Sequence, residues 1–203
     1  MENYIKICGQ KIELTGEQVE QLKKSFGVAC VKLSDIPTGE KFKIGEHEFI
    51  VLEHSGDTTA VIREELLVKN KVFGENNNYD GSRVDECCNA FADEISAVVG
   101  AENLVVYTVD LTSDDGLKDY GTIRRQVSLL TADLYRRYVE ILDRYKVDEL
   151  WWLATPLSTS THRNDSWVKC VSPSGYLSGY GYGYFNIGVR PFCILKSNIF
   201  VSK

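Results

Sequence analysis

The sequence predicts an α+β fold. Short runs of β-branched and aromatic residues are separated by turn signals, only two or three segments carry helical periodicity, and strands and helices do not alternate as a parallel sheet requires. Near the start, "YIKIC" and "KIEL" alternate around Gly9 and Gln10, which predicts a hairpin with glycine at the first turn position. Thr15 and Gln18 then form a capping box for a helix whose Val19, Leu22 and Phe26 share a face, with Gly27 as its left-handed stop. Residues 1–30 thus read as a hairpin-helix module, and 31–203 as the main domain.

From Lys41 the runs "KFKI", "HEFIVLE" and "TTAVIR" predict a meander, with "HSGD" as a turn and "GENNNYDG" as a loop beyond it. Ser82 with Asp85 opens a second helix in which Val84, Cys88, Phe91, Ile95 and Val98 recur at helical spacing, closed by Gly100. "NLVVYTVDL" predicts a strand and "TSDDGLKDYG" a turn-rich excursion. Thr131 caps a third helix, with Leu134, Tyr138, Ile141 and Leu142 inward. The closing runs "WWLATP", "SWVKCV" and "GVRPFCILK" read as strands between polar or glycine-rich loops.

Composition narrows the functional classes. The 203 residues, 43% hydrophobic and 26% charged, are enough to bury a core without metal or disulfide. A net charge of -6 argues against wrapping nucleic acid, which needs a clustered excess of Lys and Arg. The opening residues lack the pattern of a signal or transit peptide, and no run approaches a membrane span, so a cytoplasmic or virion-associated location is expected. Cys8, Cys30, Cys87, Cys88, Cys170 and Cys193 show no C-x-x-C spacing and read as buried thiols in a reduced compartment.

Several chemical sites fail on spacing. Gly179, Gly181 and Gly183 are followed by "FNIGVRPFCIL", which cannot be the helix start that a phosphate loop requires. "DLTSDDG" places Asp110, Thr112 and Asp114 at alternate positions, yet its glycine is one place late and Gly121 stands where calcium needs a bidentate glutamate, leaving a solvated turn. His162 lies near Asp165 and Ser166, the basis of an alternative reading as a hydrolase, although no G-x-S-x-G elbow is present. No metal or cofactor is expected.

Two polar stretches remain, "LSTSTHRNDS" and "YLSGYGYGYFN". The first offers Ser158, Thr159, His162, Arg163, Asn164, Asp165 and Ser166; the second offers Tyr176, Ser178, Tyr180, Tyr182, Tyr184, Phe185 and Asn186. Tyrosine mixed with Gly, Ser, Asn and His is the chemistry of antibody-like binding loops, where broad amphipathic rings carry little side-chain entropy. A plainer alternative is that these rings cover a neighbouring sheet.

"ELWWLATP", "SWVKCVSPSG" and "NIGVRPFCILKSNIFVS" resemble the closing segments of bacterial and phage C-type-lectin-fold variable proteins diversified by retroelements. The resemblance is specific from about Glu149 to Lys203, supportive from Lys41 to Tyr145 and silent on the first 30 residues. It implies a C-type-lectin-like fold in which Trp151, Trp152, Val189, Arg190 and Pro191 are scaffold, with a variable region at about 157–191. It further implies a non-enzymatic protein that binds a macromolecular ligand, protein or surface glycan. In that family the targeted codons are AAY, and substitution of one or both adenines reaches every residue type from Tyr176 to Asn186. The lectin calcium pattern is missing, so calcium-dependent sugar binding is not implied. A phage or cell-surface component with fixed loops is the remaining alternative.

Overall fold

The computed structural model describes residues 3–7, 10–18, 21 and 30–203. Strands β1 (Asn3–Ile7) and β2 (Gln10–Leu14) pair antiparallel with Ile7 opposite Gln10, which puts Gln10 in the ladder and not in the turn. Cys8 and Gly9 lie outside the described residues. The capping box forms: Thr15 N–H donates to Gln18 Oε1 at 2.9 Å, and Gln18 N–H to Thr15 Oγ1 at 3.3 Å. The helical face of Val19, Leu22 and Phe26 and the stop at Gly27 fall outside the described residues.

The main domain is α+β, built on a seven-stranded antiparallel sheet. It begins with β3 (Cys30–Lys32), β4 (Lys41–Ile44), β5 (His47–Ser55) and β6 (Thr58–Arg63). Between β5 and β6 the pair Ser55–Thr58 leaves a two-residue turn, and Gly56 takes the positive φ of 59° that this turn needs. Both faces of β5 are buried: Phe49 and Val51 face one apolar cluster, Ile50 and Leu52 the other. That explains its continuous hydrophobic run where a half-exposed strand would alternate.

One helix covers each cluster. Helix α1 (Arg83–Val99) starts at Ser82, whose Oγ accepts Asp85 N–H at 3.2 Å, and stops at Gly100 with φ 89°. Its Val84, Cys88, Phe91 and Ile95 are buried as their spacing predicts, but Val98 is 58% exposed. It lies in the last turn of the helix, with its Cγ2 beside the Gly45 turn. The predicted strand over 103–111 is shorter: β7 (Tyr107–Asp110) pairs with β8 (Thr122–Arg125), and residues 101–103 form a 3-10 turn.

A two-residue strand β9 (Val127–Ser128) leads to helix α2 (Ala132–Leu142), capped by Thr131 Oγ1, which accepts Leu134 N–H at 3.2 Å. Its inward face centres on Ala132, Tyr135, Tyr138 and Leu142, while Leu134 and Ile141 are half-buried at its margins. Tyr138 and Leu142 are thus buried as expected, and Tyr135 joins them because it can bury its ring while its hydroxyl donates to Gly175 O at 2.7 Å.

Strands β10 (Trp151–Pro156), β11 (Trp167–Val171) and β12 (Leu177–Gly181) make a second antiparallel sheet in that order. Trp152 and Cys170 face the α1 cluster; Trp151, Val171 and Leu177 face the α2 cluster. The chain then returns to the large sheet as β13 (Phe192–Lys196) and β14 (Phe200–Ser202), and β14 pairs with β3 so that both ends of the domain meet. Among the described residues no helix is long and apolar enough to cross a membrane.

Arg190 fastens the two sheets where β12 hands over to β13. Its side chain is only 1% exposed, and burial pulls its pKa down to about 10. Nε donates to Arg63 O and Nη2 to Tyr145 O, both at 3.0 Å, and the guanidinium lies 5.3 Å from the Trp151 ring. Trp151, Trp152, Val189 and Pro191 are buried around it. Cys88, Cys170 and Cys193 are also buried, which pushes each thiol up to about 12; with Cys30 and Cys87 they are unpaired. Arg190→Ala leaves two buried carbonyls without a donor and a cavity beside Trp151. A loss of about 3 kcal/mol or more is expected, read as a melting temperature lower by roughly 10 °C.

Candidate functional site

The two polar stretches are the connections β10–β11 and β12–β13, which leave the same end of the small sheet. The first is pinned from below. Ser158 and Thr159, expected at the surface, are buried. Ser158 Oγ donates to Asp115 Oδ2 at 2.6 Å and Thr159 Oγ1 to Asp119 Oδ2 at 2.5 Å, so both hydroxyls hold the loop and are not displayed. Thr161 Oγ1 also donates to Asp119 Oδ2, at 2.6 Å, and His162 Nδ1 donates to Asp115 Oδ2 at 2.9 Å.

The hydroxyls of Ser113 and Ser158, together with His162, hold the Asp115 carboxyl far below the ordinary range. Bonds from Thr159 and Thr161 also lower the pKa of Asp119. The turn over residues 110–116 is solvent-exposed at Asp110, Asp114, Asp115 and Gly116, as expected, and through its carboxylates and Asp119 it also braces the loop. Its Asp114 lies between Arg136 Nη2 at 2.8 Å and Lys169 Nζ at 3.2 Å, and Asp110 Oδ1 accepts both Thr112 donors.

Asn77 completes the clamp from the "GENNNYDG" loop. It is fully buried; its Nδ2 donates to Ser158 O at 2.9 Å and Trp167 O at 3.1 Å, and Tyr120 OH donates to its Oδ1 at 2.7 Å. Trp167 O also accepts Leu157 N–H at 2.9 Å, closing the loop at its base. At the tip, Thr159 O accepts the amides of His162 and Asn164, and Arg163 takes a left-handed φ of 56°. His162, Arg163, Asp165 and Ser166 are exposed and Asn164 is half-exposed.

The second stretch is only partly a loop. Residues 177–181 form β12, with Gly179 and Gly181 standing across from Lys169 and Trp167. The tyrosine-glycine alternation has the strand period of two. Tyr180 and Tyr182 share the opposite face, half-buried against the core, and Ser178 is also half-buried. Tyr182 N–H donates to Ser166 O and Tyr182 O accepts Phe73 N–H, each at 2.9 Å.

Beyond that anchor the chain turns outward. Tyr184 stacks on Tyr180 with ring centroids 4.9 Å apart and is 42% exposed; Phe185 is 59% exposed and Asn186 is exposed. Tyr176, 70% exposed, lies at the other end of β12, in the hairpin to β11, and is not brought to this turn. Trp167, absent from the sequence-derived set, is 45% exposed on the other face of the sheet. The alternation in "SWVKCV" already set Trp167 opposite to the buried Val168 and Cys170, and that was the signal for it. Asn77, Tyr120, Asp115 and Asp119 had no such local signal.

His162, which the hydrolase alternative pairs with Asp165 or Ser166, hydrogen-bonds Asp115 through Nδ1, and the Ser158 hydroxyl donates to the same carboxylate. Among the described residues no group of three or more His, Cys, Asp or Glu is placed to hold a metal ion. Comparison of the chain with protein-family models, characterised proteins and solved structures finds no match.

Two outcomes follow from the brace. Because Asp115 and Asp119 titrate lower in the fold, their bonds stabilise it above the ordinary aspartate pKa of ~3.9 and are lost as pH falls through the folded values. Melting temperatures measured from about pH 6 to about pH 2 should fall less steeply for the Asp115→Asn, Asp119→Asn double variant, from a lower neutral value. Asn77→Ala should cost about 1 to 3 kcal/mol and speed tryptic cleavage after Arg163, measured by mass spectrometry.

Proposed function

We propose that the chain is a non-enzymatic ligand-display protein whose framework is C-type-lectin-like and whose variable region spans about residues 157–191. Tyr184 and Phe185, with Asn186 and with His162, Arg163, Asn164 and Asp165 of the neighbouring loop, form the contact surface for a macromolecular ligand; Tyr176 lies at the far end of β12 and Trp167 on the other face of its sheet. The observation that carries this reading is the exposed pair Tyr184 and Phe185, with Tyr184 stacked on the half-buried Tyr180, on a turn held at Tyr182 by bonds to Ser166 and Phe73. Aromatic rings held rigid and half in solvent are what an interface hot spot requires, since little entropy is lost when a partner covers them.

The architecture supports the same reading. Chain ends joined in one sheet, two helices on its faces and a small sheet bearing long loops are consistent with a lectin-like framework. Ser158, Thr159, Tyr180 and Tyr182 support the surface from beneath. The side chains facing solvent contact little of the core, so their identities can change without unfolding the domain.

The experiment has two parts. The double variant Tyr184→Ala, Phe185→Ala should melt within about 2 °C of the parent, whereas Trp152→Ala should lose ~3 to 5 kcal/mol. Sequencing of the encoding locus should reveal a near-copy of the segment for residues 157–191 whose mismatches fall at adenines. A cooperative loss of stability in the double variant, or a locus without any such copy in related genomes, contradicts the reading.

A further inference from the structure

Strand β12 is the outermost strand of its sheet, and its outer edge is open among the described residues. Its ladder to β11 is bracketed by Ser172 N–H donating to Tyr176 O and Tyr182 N–H donating to Ser166 O, each at 2.9 Å. Backbone groups of an antiparallel pair alternate inward and outward. Tyr176, Ser178, Tyr180 and Tyr182 therefore turn theirs toward β11, while Leu177, Gly179 and Gly181 turn theirs away.

A glycine has no side chain, so the partial exposure of Gly179 and Gly181 is exposure of backbone. Only the Gly181 carbonyl has an acceptor role already, toward Tyr184 N–H at 2.9 Å. Proteins guard such edges with charges, prolines or bulges. "LSGYG" has none of these, and its register to β11 is unbroken.

We propose that β12 pairs antiparallel with β12 of a second copy of this chain, about a two-fold axis at Gly179. The strand is self-complementary in that register alone. Gly179 faces Gly179 of the other copy and Leu177 faces Gly181, so all three outward residues are used and about six backbone hydrogen bonds form. On the face that carries Trp167, each leucine meets the space left by a glycine; on the other, each Ser178 meets a Tyr180. Large side chains stand across from small ones on both faces. A shift by two residues one way sets Leu177 against Gly179 and leaves Gly181 without a partner; the other way sets Gly179 against Gly181 and leaves Leu177 without one.

Two five-residue edges cover well under a standard interface of ~1,600 Å², so the dimer is weak and concentration-dependent. Its consequence is a continuous six-stranded sheet with two sets of display loops. A ligand with repeated sites would then be held by avidity, with no new contact.

The test is sedimentation equilibrium of the full chain from about 1 µM to about 300 µM. The wild type should show a reversible monomer–dimer equilibrium. A Cβ at residue 179 has room, its nearest neighbours being Val168 O at 3.4 Å and Trp167 Cε3 at 3.8 Å. Gly179→Asp and Gly179→Lys should each fold, judged by melting temperature, and each remain monomeric, because like charges meet across the axis. Mixed in equal amounts, the two should form a heterodimer. A wild type that stays monomeric throughout the range overturns the proposal, as do single variants that still dimerise or a mixture of folded variants that does not associate.

Discussion

The carboxamide of Asn77 is the point on which the displayed surface depends. One buried side chain holds the carbonyls of Ser158 and Trp167, where the first polar loop leaves and re-enters its sheet, and is itself oriented by Tyr120 OH. A buried amide satisfied on both ends is favourable only in one arrangement, because each missing partner leaves a desolvated polar atom. The loop base is thus fixed in position and not merely tethered. Asp115 and Asp119 extend the constraint toward the tip, with each carboxylate taking several donors from a loop rich in hydroxyls.

The same economy of parts governs β12. Its residues divide by parity: tyrosines lean on the core side, glycines stand on the face that carries Trp167, and odd-numbered backbone groups face an open edge. A strand that would be weak by composition is held by its ladder to β11 and by the Arg190 fastening that follows it. Rigidity at Tyr182 and freedom at Tyr184 and Phe185 are separated by only two or three residues. That abrupt change from anchored to exposed is what makes the turn suitable for contact.

Much of this was legible in the sequence where the cause is local. The caps at Thr15, Ser82 and Thr131 were visible because an N-cap acts on an amide three residues away. The meander from Lys41 and the strands "WWLATP" and "SWVKCV" were visible from β-branched and aromatic runs. Val98 and Leu134 were misplaced because helical periodicity does not say which positions a neighbouring element covers. The tyrosine-glycine stretch was read as a loop because glycine weakens a strand in isolation, and its pairing with β11 is what makes residues 177–181 a strand. The brace was not legible at all: Asn77 meets Ser158 from 81 residues away and Asp119 meets Thr159 from 40, and such pairings have no local pattern.

Amide hydrogen exchange of the wild-type chain at neutral pH tests the central claim most directly, residue by residue across the two connections. The account requires Leu157, Trp167 and Tyr182 to exchange as slowly as the strands of the large sheet, with fast exchange confined to the outermost residues of the two turns. Fast exchange at Leu157 and Tyr182, at rates typical of an unstructured chain, would mean that no stiff mount exists beneath the exposed rings.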